Sequence, residues 1–129
     1  MDSDVLVVDD SAAIRKILTR VLRQTGMAIQ TIYEAGDGQE ALAMMEQHRV
    51  DLVLSDINMP KMDGLQLLAS LKASPQWHKV PVVMITTEGG ETKVAEAVKL
   101  GAAGYVRKPF TADQIKEKLV GILETAATL

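Results

Sequence analysis

Five times along this chain a short apolar run is followed by a stretch of helical period, and that alternation limits the possible folds more than anything else in the sequence. The runs are Val5-Leu6-Val7-Val8, Thr31-Ile32-Tyr33-Glu34-Ala35, Leu52-Val53-Leu54-Ser55, Val82-Val83-Met84-Ile85-Thr86 and Gly104-Tyr105-Val106-Arg107. Each is too short for a helix, and Val5–Val8 and Val82–Thr86 are mostly β-branched, so the runs read as strands. Between them, Ile14, Ile17, Leu18, Val21 and Leu22 mark one face of a helix that starts after Ser11, a good N-cap, and ends before Gly26. Asp37-x-x-Glu40 caps a second helix with Leu42 and Met45 inward. Asp63-Gly64-Leu65-Gln66 opens a third with Leu65, Leu68 and Leu71 inward, broken by Ser74-Pro75. Val94, Ala97 and Val98 mark a fourth, stopped by Gly101. The capping box Thr111-x-x-Gln114 starts a fifth, with Ile115, Leu119, Ile122 and Leu123 inward.

Counting strand starts at 5, 31, 52, 82 and 104, one strand–helix pair recurs every 21–30 residues. Such alternation implies α/β architecture, a parallel sheet with helices on both faces. Strand polarity orders the sheet. Central parallel strands are buried on both sides and read as continuous apolar runs. The first, third and fourth runs fit; the second is mixed and the fifth carries Arg107, so these two belong at the edges. The order 2-1-3-4-5 satisfies this, a (βα)5 flavodoxin-like doubly wound sheet with its ligand crevice at the carboxyl ends of strands one and three. No linker or low-complexity stretch interrupts the pattern, so residues 1–129 read as one domain.

Composition narrows the function. There are no cysteines, and His48 and His78 are too far apart in sequence for a His-x-x-x-His pair, which argues against zinc and iron–sulfur sites. Aromatic residues are 3% of the chain and the net charge is −3, poor material for nucleic-acid binding. No apolar run approaches the ~18 residues of a membrane span, and the acidic start Met1-Asp2-Ser3-Asp4 is unlike a signal peptide, so a cytoplasmic location is expected. Met44, Met45 and Met84 read as core filler.

The polar residues collect at strand ends. The first strand runs into Asp9-Asp10, the third into Asp56, the fourth into Thr86-Thr87 and the fifth into Lys108-Pro109. Singly, each has a plain explanation as a turn, cap or solvated loop residue. Together they put three carboxylates, a hydroxyl and an ammonium at the expected crevice. Three carboxylates stay ionised in one pocket only with a cation among them. Mg²⁺ suits the set: it takes one or two carboxylates plus phosphate oxygens, whereas the DxDxDG pattern of a Ca²⁺ loop is absent. A carboxylate beside Mg²⁺, Lys and Thr is equipped for phosphoryl transfer, and Asp56, alone on the central third strand, is the favoured nucleophile.

The run Val5–Ser11, the segment Asp56-Ile57-Asn58-Met59-Pro60-Lys61-Met62-Asp63-Gly64, Thr86, and Gly104-Tyr105-Val106-Arg107-Lys108-Pro109-Phe110 closely resemble the response-regulator receiver domains of two-component signalling. The resemblance covers essentially the whole chain. It implies that Asp56 accepts a phosphoryl group from a histidine kinase, and that Asp10, Asp56 and the backbone carbonyl of Asn58 ligate Mg²⁺ with Asp9 assisting through water. It further implies that Lys108 contacts the phosphoryl oxygens across a cis Lys108–Pro109 bond, and that Thr86 and Tyr105 form the switch pair.

Within the family the chain is most similar to single-domain chemotaxis regulators of the CheY type. Asn58 and Glu88 match positions that tune phosphoryl hydrolysis there; Thr87 departs from the alanine often found beside the switch threonine. Gly89-Gly90 is expected to give the following loop freedom. On this resemblance the chain is a monomeric phosphoacceptor rather than an enzyme, apart from weak self-dephosphorylation, and has no output domain. It signals by docking on a flagellar motor switch or a phosphatase. Lys93, Glu96, Lys99, Arg107 and Lys118 are the candidate docking side chains, and a phosphorelay intermediate or phosphate sink is the alternative role.

Two rivals fit less well. Gly36-Asp37-Gly38-Gln39-Glu40-Ala41 matches G-x-G-x-x-A, but it falls on an edge strand and would press Asp37 against a pyrophosphate. A Mg-dependent phosphatase of the haloacid-dehalogenase type needs Asp-x-Asp after its first strand, where this chain has Asp9-Asp10-Ser11.

Overall fold

The five apolar runs form the strands of one parallel sheet in a computed structural model. It describes residues 3–86 and 91–128, and the side chains of these except 86, 91 and 124–128. The order along the chain is β1 (Ser3–Val8), α1 (Ala12–Gln24), β2 (Ile29–Ala35), α2 (Gly38–Gln47), β3 (Leu52–Asp56), α3 (Gly64–Ala73), β4 (Val82–Thr86), α4 (Glu91–Lys99), β5 (Gly104–Arg107) and α5 (Ala112–Thr128). The sheet order is β2-β1-β3-β4-β5, with β2 and β5 at the edges as their polarity implies. Among the described residues no helix is long and apolar enough to cross a membrane.

Side chains of a strand alternate between faces, and here both faces are covered. Leu6, Val8, Val53 and Met84 join α2, α3 and α4 in one core, together with Leu67, Leu68 and Leu71. Val5, Val7, Leu52, Leu54, Val83 and Ile85 join α1 and α5 in the other, against Leu18, Leu22, Ile115 and Leu119. The stretches Val5–Val8, Leu52–Leu54 and Val82–Ile85 are therefore continuously apolar because both of their faces are covered, and Ser55 is a buried polar exception among them.

Caps set the helix starts. Ser11 accepts a hydrogen bond from Ile14 N, Asp37 from Glu40 N, and Asp63 from Gln66 N in a reciprocal capping box. Thr111 and Gln114 make the same reciprocal pair at 3.2 and 2.9 Å. Each such cap contributes about 1 kcal/mol. The chain turns out of α1 through Gly26 at φ 74°, a left-handed conformation that suits glycine.

Two apolar helix faces are covered less fully than their patterns imply. Ile17 is 44% exposed, because α1 is shielded only by the sheet and α5 and its apolar stripe is wider than the surface it covers. Val98 is 58% exposed, and of the three residues that marked α4 only Ala97 is buried. In α3, Leu67, Leu68 and Leu71 are buried, and Leu65 packs half-buried against the same core, as expected.

Candidate functional site

Register builds the site. Val8 lies opposite Ala35 on β2 and Ser55 on β3, and Asp56 lies opposite Ile85 on β4. Asp9 and Asp56 thus leave β1 and β3 at the same level, one step beyond the last β1–β3 pair. Thr86 is opposite Arg107, so β4 and β5 end beside Lys108. The carboxyl ends of four strands converge at the point where the sheet order reverses.

Asp9, Asp10 and Asp56 each offer one carboxylate oxygen, and the three oxygens lie within 4.8 Å of one another. Asp9 is buried, Asp56 is part-buried and Asp10 is exposed, so the cluster opens to solvent on the Asp10 side. Lys108 Nζ stands 3.0 Å from Asp9 Oδ2 and 3.8 Å from Asp56 Oδ1. Among the described residues it is the only cation ion-paired with the cluster. The Lys108–Pro109 peptide bond is cis.

Backbone and second-layer contacts hold these groups. Asp9 Oδ1 accepts from Ser11 N at 2.9 Å, and the Asp9 backbone N–H donates to Ala35 O at 3.1 Å. Arg15 reaches back over the start of α1 and donates to the Asp9 carbonyl at 2.6 Å, while its Nε pairs with Glu34 at 3.0 Å. Asp56 Oδ1 accepts from Ile57 N at 2.9 Å. Gly64 N donates to Ile57 O at 2.8 Å, and a Cβ on Gly64 would collide with the Asp56 backbone oxygen. Glycine is thus required where α3 starts against the end of β3. Between them, Lys61 takes the left-handed conformation (φ 64°) that folds the loop back.

The Asp56 carboxyl titrates above its ordinary value of 3.8. Burial is the largest cause. The Lys108 ammonium pulls the other way, Asp9 pushes up, the Ile57 N–H pulls down and Asp10 pushes up again. Desolvation and like charge together exceed what one lysine and one N–H offset. Such a pocket favours a cation, and three hard oxygen donors within a few ångströms fit a divalent ion of the Mg²⁺ type.

The remaining expected residues lie round this pocket. Asn58 is exposed on the β3–α3 loop, and its Oδ1 accepts from Lys93 Nζ at 2.7 Å. Lys93 is exposed and bonded to the site loop. Tyr105 is 39% exposed on β5 with Lys118 Nζ 5.6 Å from its ring centroid. A groove of about 490 Å³ runs beside it, lined in part by Arg107, Pro109, Gln114, Glu117 and Lys118. Thr87, Glu88 and Gly89-Gly90 lie outside the described residues, as does the Thr86 side chain. Gly38, from the G-x-G-x-x-A match, packs on the β3–α3 loop: its N–H donates to Met62 O at 3.1 Å, and a Cβ there would lie 2.5 Å from Met62 Cγ.

Arg15 and Lys93 were missed as site residues. The signal for Arg15 was its place four residues after the Ser11 cap, from where a long side chain points back toward the helix start. Nothing local in the sequence connects Lys93 to Asn58.

Residues 5–120 match the response regulator receiver domain family. The chain is 41% identical over 120 residues to the chemotaxis protein CheY-3 of Vibrio cholerae, covering 93% of this chain and 91% of that protein. It is 38% identical over 124 residues to the chemotaxis protein CheY homolog of Campylobacter jejuni, covering 95% and 94%. Among solved structures it is similar to the chemotaxis response regulator CheY4 of Vibrio cholerae (TM-score 0.79, 34% identity, 98% of this chain and 99% of that one). It is also similar to a putative response regulator from Chloroflexus aurantiacus (TM-score 0.88, 27% identity, 96% and 99%). The strand order is itself the one for which flavodoxin and CheY are the standard examples. Sheet order, acidic pocket and sequence agreement over nearly the full length converge on one conclusion: the chain belongs to the response regulator receiver domain family of two-component signalling, and resembles its CheY-type members.

Proposed function

We propose that this chain is a phosphoacceptor signalling protein that takes a phosphoryl group on Asp56 from a histidine kinase. The observation that carries the reading is the convergence of Asp9, Asp10 and Asp56 within 4.8 Å, with Lys108 in contact with two of them. Asp56 is the nucleophile because it stands at the end of the central strand with an oxygen beside Lys108. Asp10, Asp56 and the Asn58 carbonyl are the Mg²⁺ ligands, with Asp9 acting through water. The ion, when bound, neutralises charge on the phosphoryl oxygens. Lys108 shares that task from the other side, so positioning and electrostatics do most of the work.

Thr86 and Tyr105 are the switch pair. Tyr105 starts from a half-exposed position under Lys118. Phosphorylation draws the Thr86 hydroxyl toward the phosphoryl group and lets Tyr105 turn inward, a population shift set by how much better that group bonds one state. Asn58, Thr87 and Glu88 tune hydrolysis of the phosphoryl group, so the chain slowly dephosphorylates itself. The output face is built by α4, β5 and α5, and exposed Glu96, Lys99, Arg107 and Lys118 lie on it. Kinship to chemotaxis proteins supports a role in chemotaxis, with a flagellar motor switch protein or a phosphatase as partner.

Incubation with a small acyl phosphate and Mg²⁺, followed by intact mass measurement, tests the reading. One phosphoryl adduct is expected, absent in Asp56→Asn and absent with chelator. An adduct that persists in Asp56→Asn at the wild-type level overturns the site assignment. Catalytic turnover of phosphate esters would point instead to a phosphatase.

A further inference from the structure

Lys93 stands in the first half of α4 with its side chain exposed, yet its ammonium donates to Asn58 Oδ1 at 2.7 Å across 35 positions of sequence. Among the described residues this is the only side-chain hydrogen bond that α4 makes to another element. Asn58 is two residues past Asp56, so their Cα atoms are at most about 7 Å apart. The bond therefore holds a positive charge on the exposed loop that follows the Asp56 strand end. Lys108 does not fill this role. It lies deeper, is 13% exposed, and is already engaged by Asp9 and Asp56. A phosphoryl donor is an anion that must approach three carboxylates, and a cation held on the adjoining loop acts against their repulsion.

We infer that Lys93, anchored on Asn58, is a specificity-determining residue for the phosphoryl donor, favouring small dianionic acyl phosphates over donors of lower charge. The inference rests on the proposed role of Asp56 and adds to it a source of donor selectivity. The step itself is balanced. An Asp56 oxygen attacks phosphorus, the bond from phosphorus to the leaving oxygen breaks, and the carboxylate of the acyl group departs with the electron pair. No proton is needed. Lys93 takes no part in the bond changes; it raises the local concentration of the dianion.

The test compares phosphorylation rates with acetyl phosphate, a dianion at neutral pH, and phosphoramidate, which carries one net negative charge and releases ammonia. Wild type, Lys93→Ala, Lys93→Gln and Lys93→Arg are followed by intact mass at saturating Mg²⁺. At low ionic strength, loss of the charge is expected to slow acetyl phosphate about threefold and phosphoramidate less than twofold. Lys93→Gln should match Lys93→Ala, Lys93→Arg should match wild type, and the gap should close near ~0.5 M salt. Equal rates in all variants overturn the inference. So does equal slowing with both donors, or an arginine variant as slow as alanine, since either outcome would make Lys93 a mere support for Asn58. If the wild type forms an adduct but the variants do not differ, only this inference falls. If the wild type forms none, the proposed role of Asp56 falls with it.

Discussion

Lys108 and Asp9, 99 positions apart in the chain, meet at 3.0 Å with both side chains largely out of water (13% and 2% exposed). The pair closes the inner wall of the acidic pocket. Asp9 is buried and Lys108 is its ion-pair partner, so the contact ties the end of β1 to the end of β5.

Lys108→Met should therefore destabilise the chain by about 3 kcal/mol in metal-free buffer, the scale of an unpaired buried charge. Urea unfolding with and without Mg²⁺ checks this. The loss should shrink when Mg²⁺ is present, because the ion supplies the missing positive charge. A loss unchanged by Mg²⁺ would show that the ion does not reach this carboxylate cluster.

Asp56 is expected to make stability depend on pH in the direction opposite to that of an ordinary salt-bridged aspartate. Its folded-state titration lies above the ordinary value of 3.8, so the native state takes up this proton before the unfolded chain does. The carboxylate thus costs stability in full above the folded-state pKa. That cost is relieved as pH falls through the folded-state pKa and is gone below 3.8. Asp56→Asn should melt higher than wild type at neutral pH without metal, and the two should converge as pH is lowered toward 4. Thermal melts across that window read the difference directly; a variant that melts lower at pH 7 would contradict it.

Gly64 packs so closely on the Asp56 carbonyl that any side chain must push the β3 end away. Gly64→Ala should cost about 2–3 kcal/mol, as overpacking at a rigid contact does. Because the displaced group belongs to the residue that carries the site carboxylate, Mg²⁺ affinity should fall with stability. Isothermal titration and chemical unfolding of the same variant measure both effects, and an unchanged pair of values would count against the close packing.

Arg15 touches no site carboxylate, yet it fixes the Asp9 carbonyl at 2.6 Å and is itself held by Glu34. Arg15→Met keeps the stem and removes the bond. It should weaken Mg²⁺ binding by about tenfold, the usual scale for an outer-layer support, with about 1 kcal/mol lost in stability. Arg15→Lys should recover little, since a single ammonium cannot serve both partners with the same geometry.

Much of this was legible before any coordinates. Strand and helix periods and caps at Ser11, Asp37, Asp63 and Thr111 marked the elements, and the polarity of the five runs assigned the second and fifth to the sheet edges, which the observed order satisfies. Each is a local property: whether a residue's neighbours at two or at three to four positions are apolar, and whether a side chain can reach its own backbone. Strand ends then had to meet at the switch point, which is why Asp9, Asp10, Asp56 and Lys108 could be grouped from the sequence. Only tertiary structure decided how deep each group sits, which of Asp9 and Asp10 is buried, and that Lys108 favours Asp9. The same holds for Ile17 and Val98, whose exposure depends on how much of α1 and α4 their neighbours cover. It holds above all for Arg15 and Lys93, whose partners are set by where two elements end in space. Hydrogen bonds and burial between distant segments depend on packing angles and loop paths, and no local pattern in the chain encodes those.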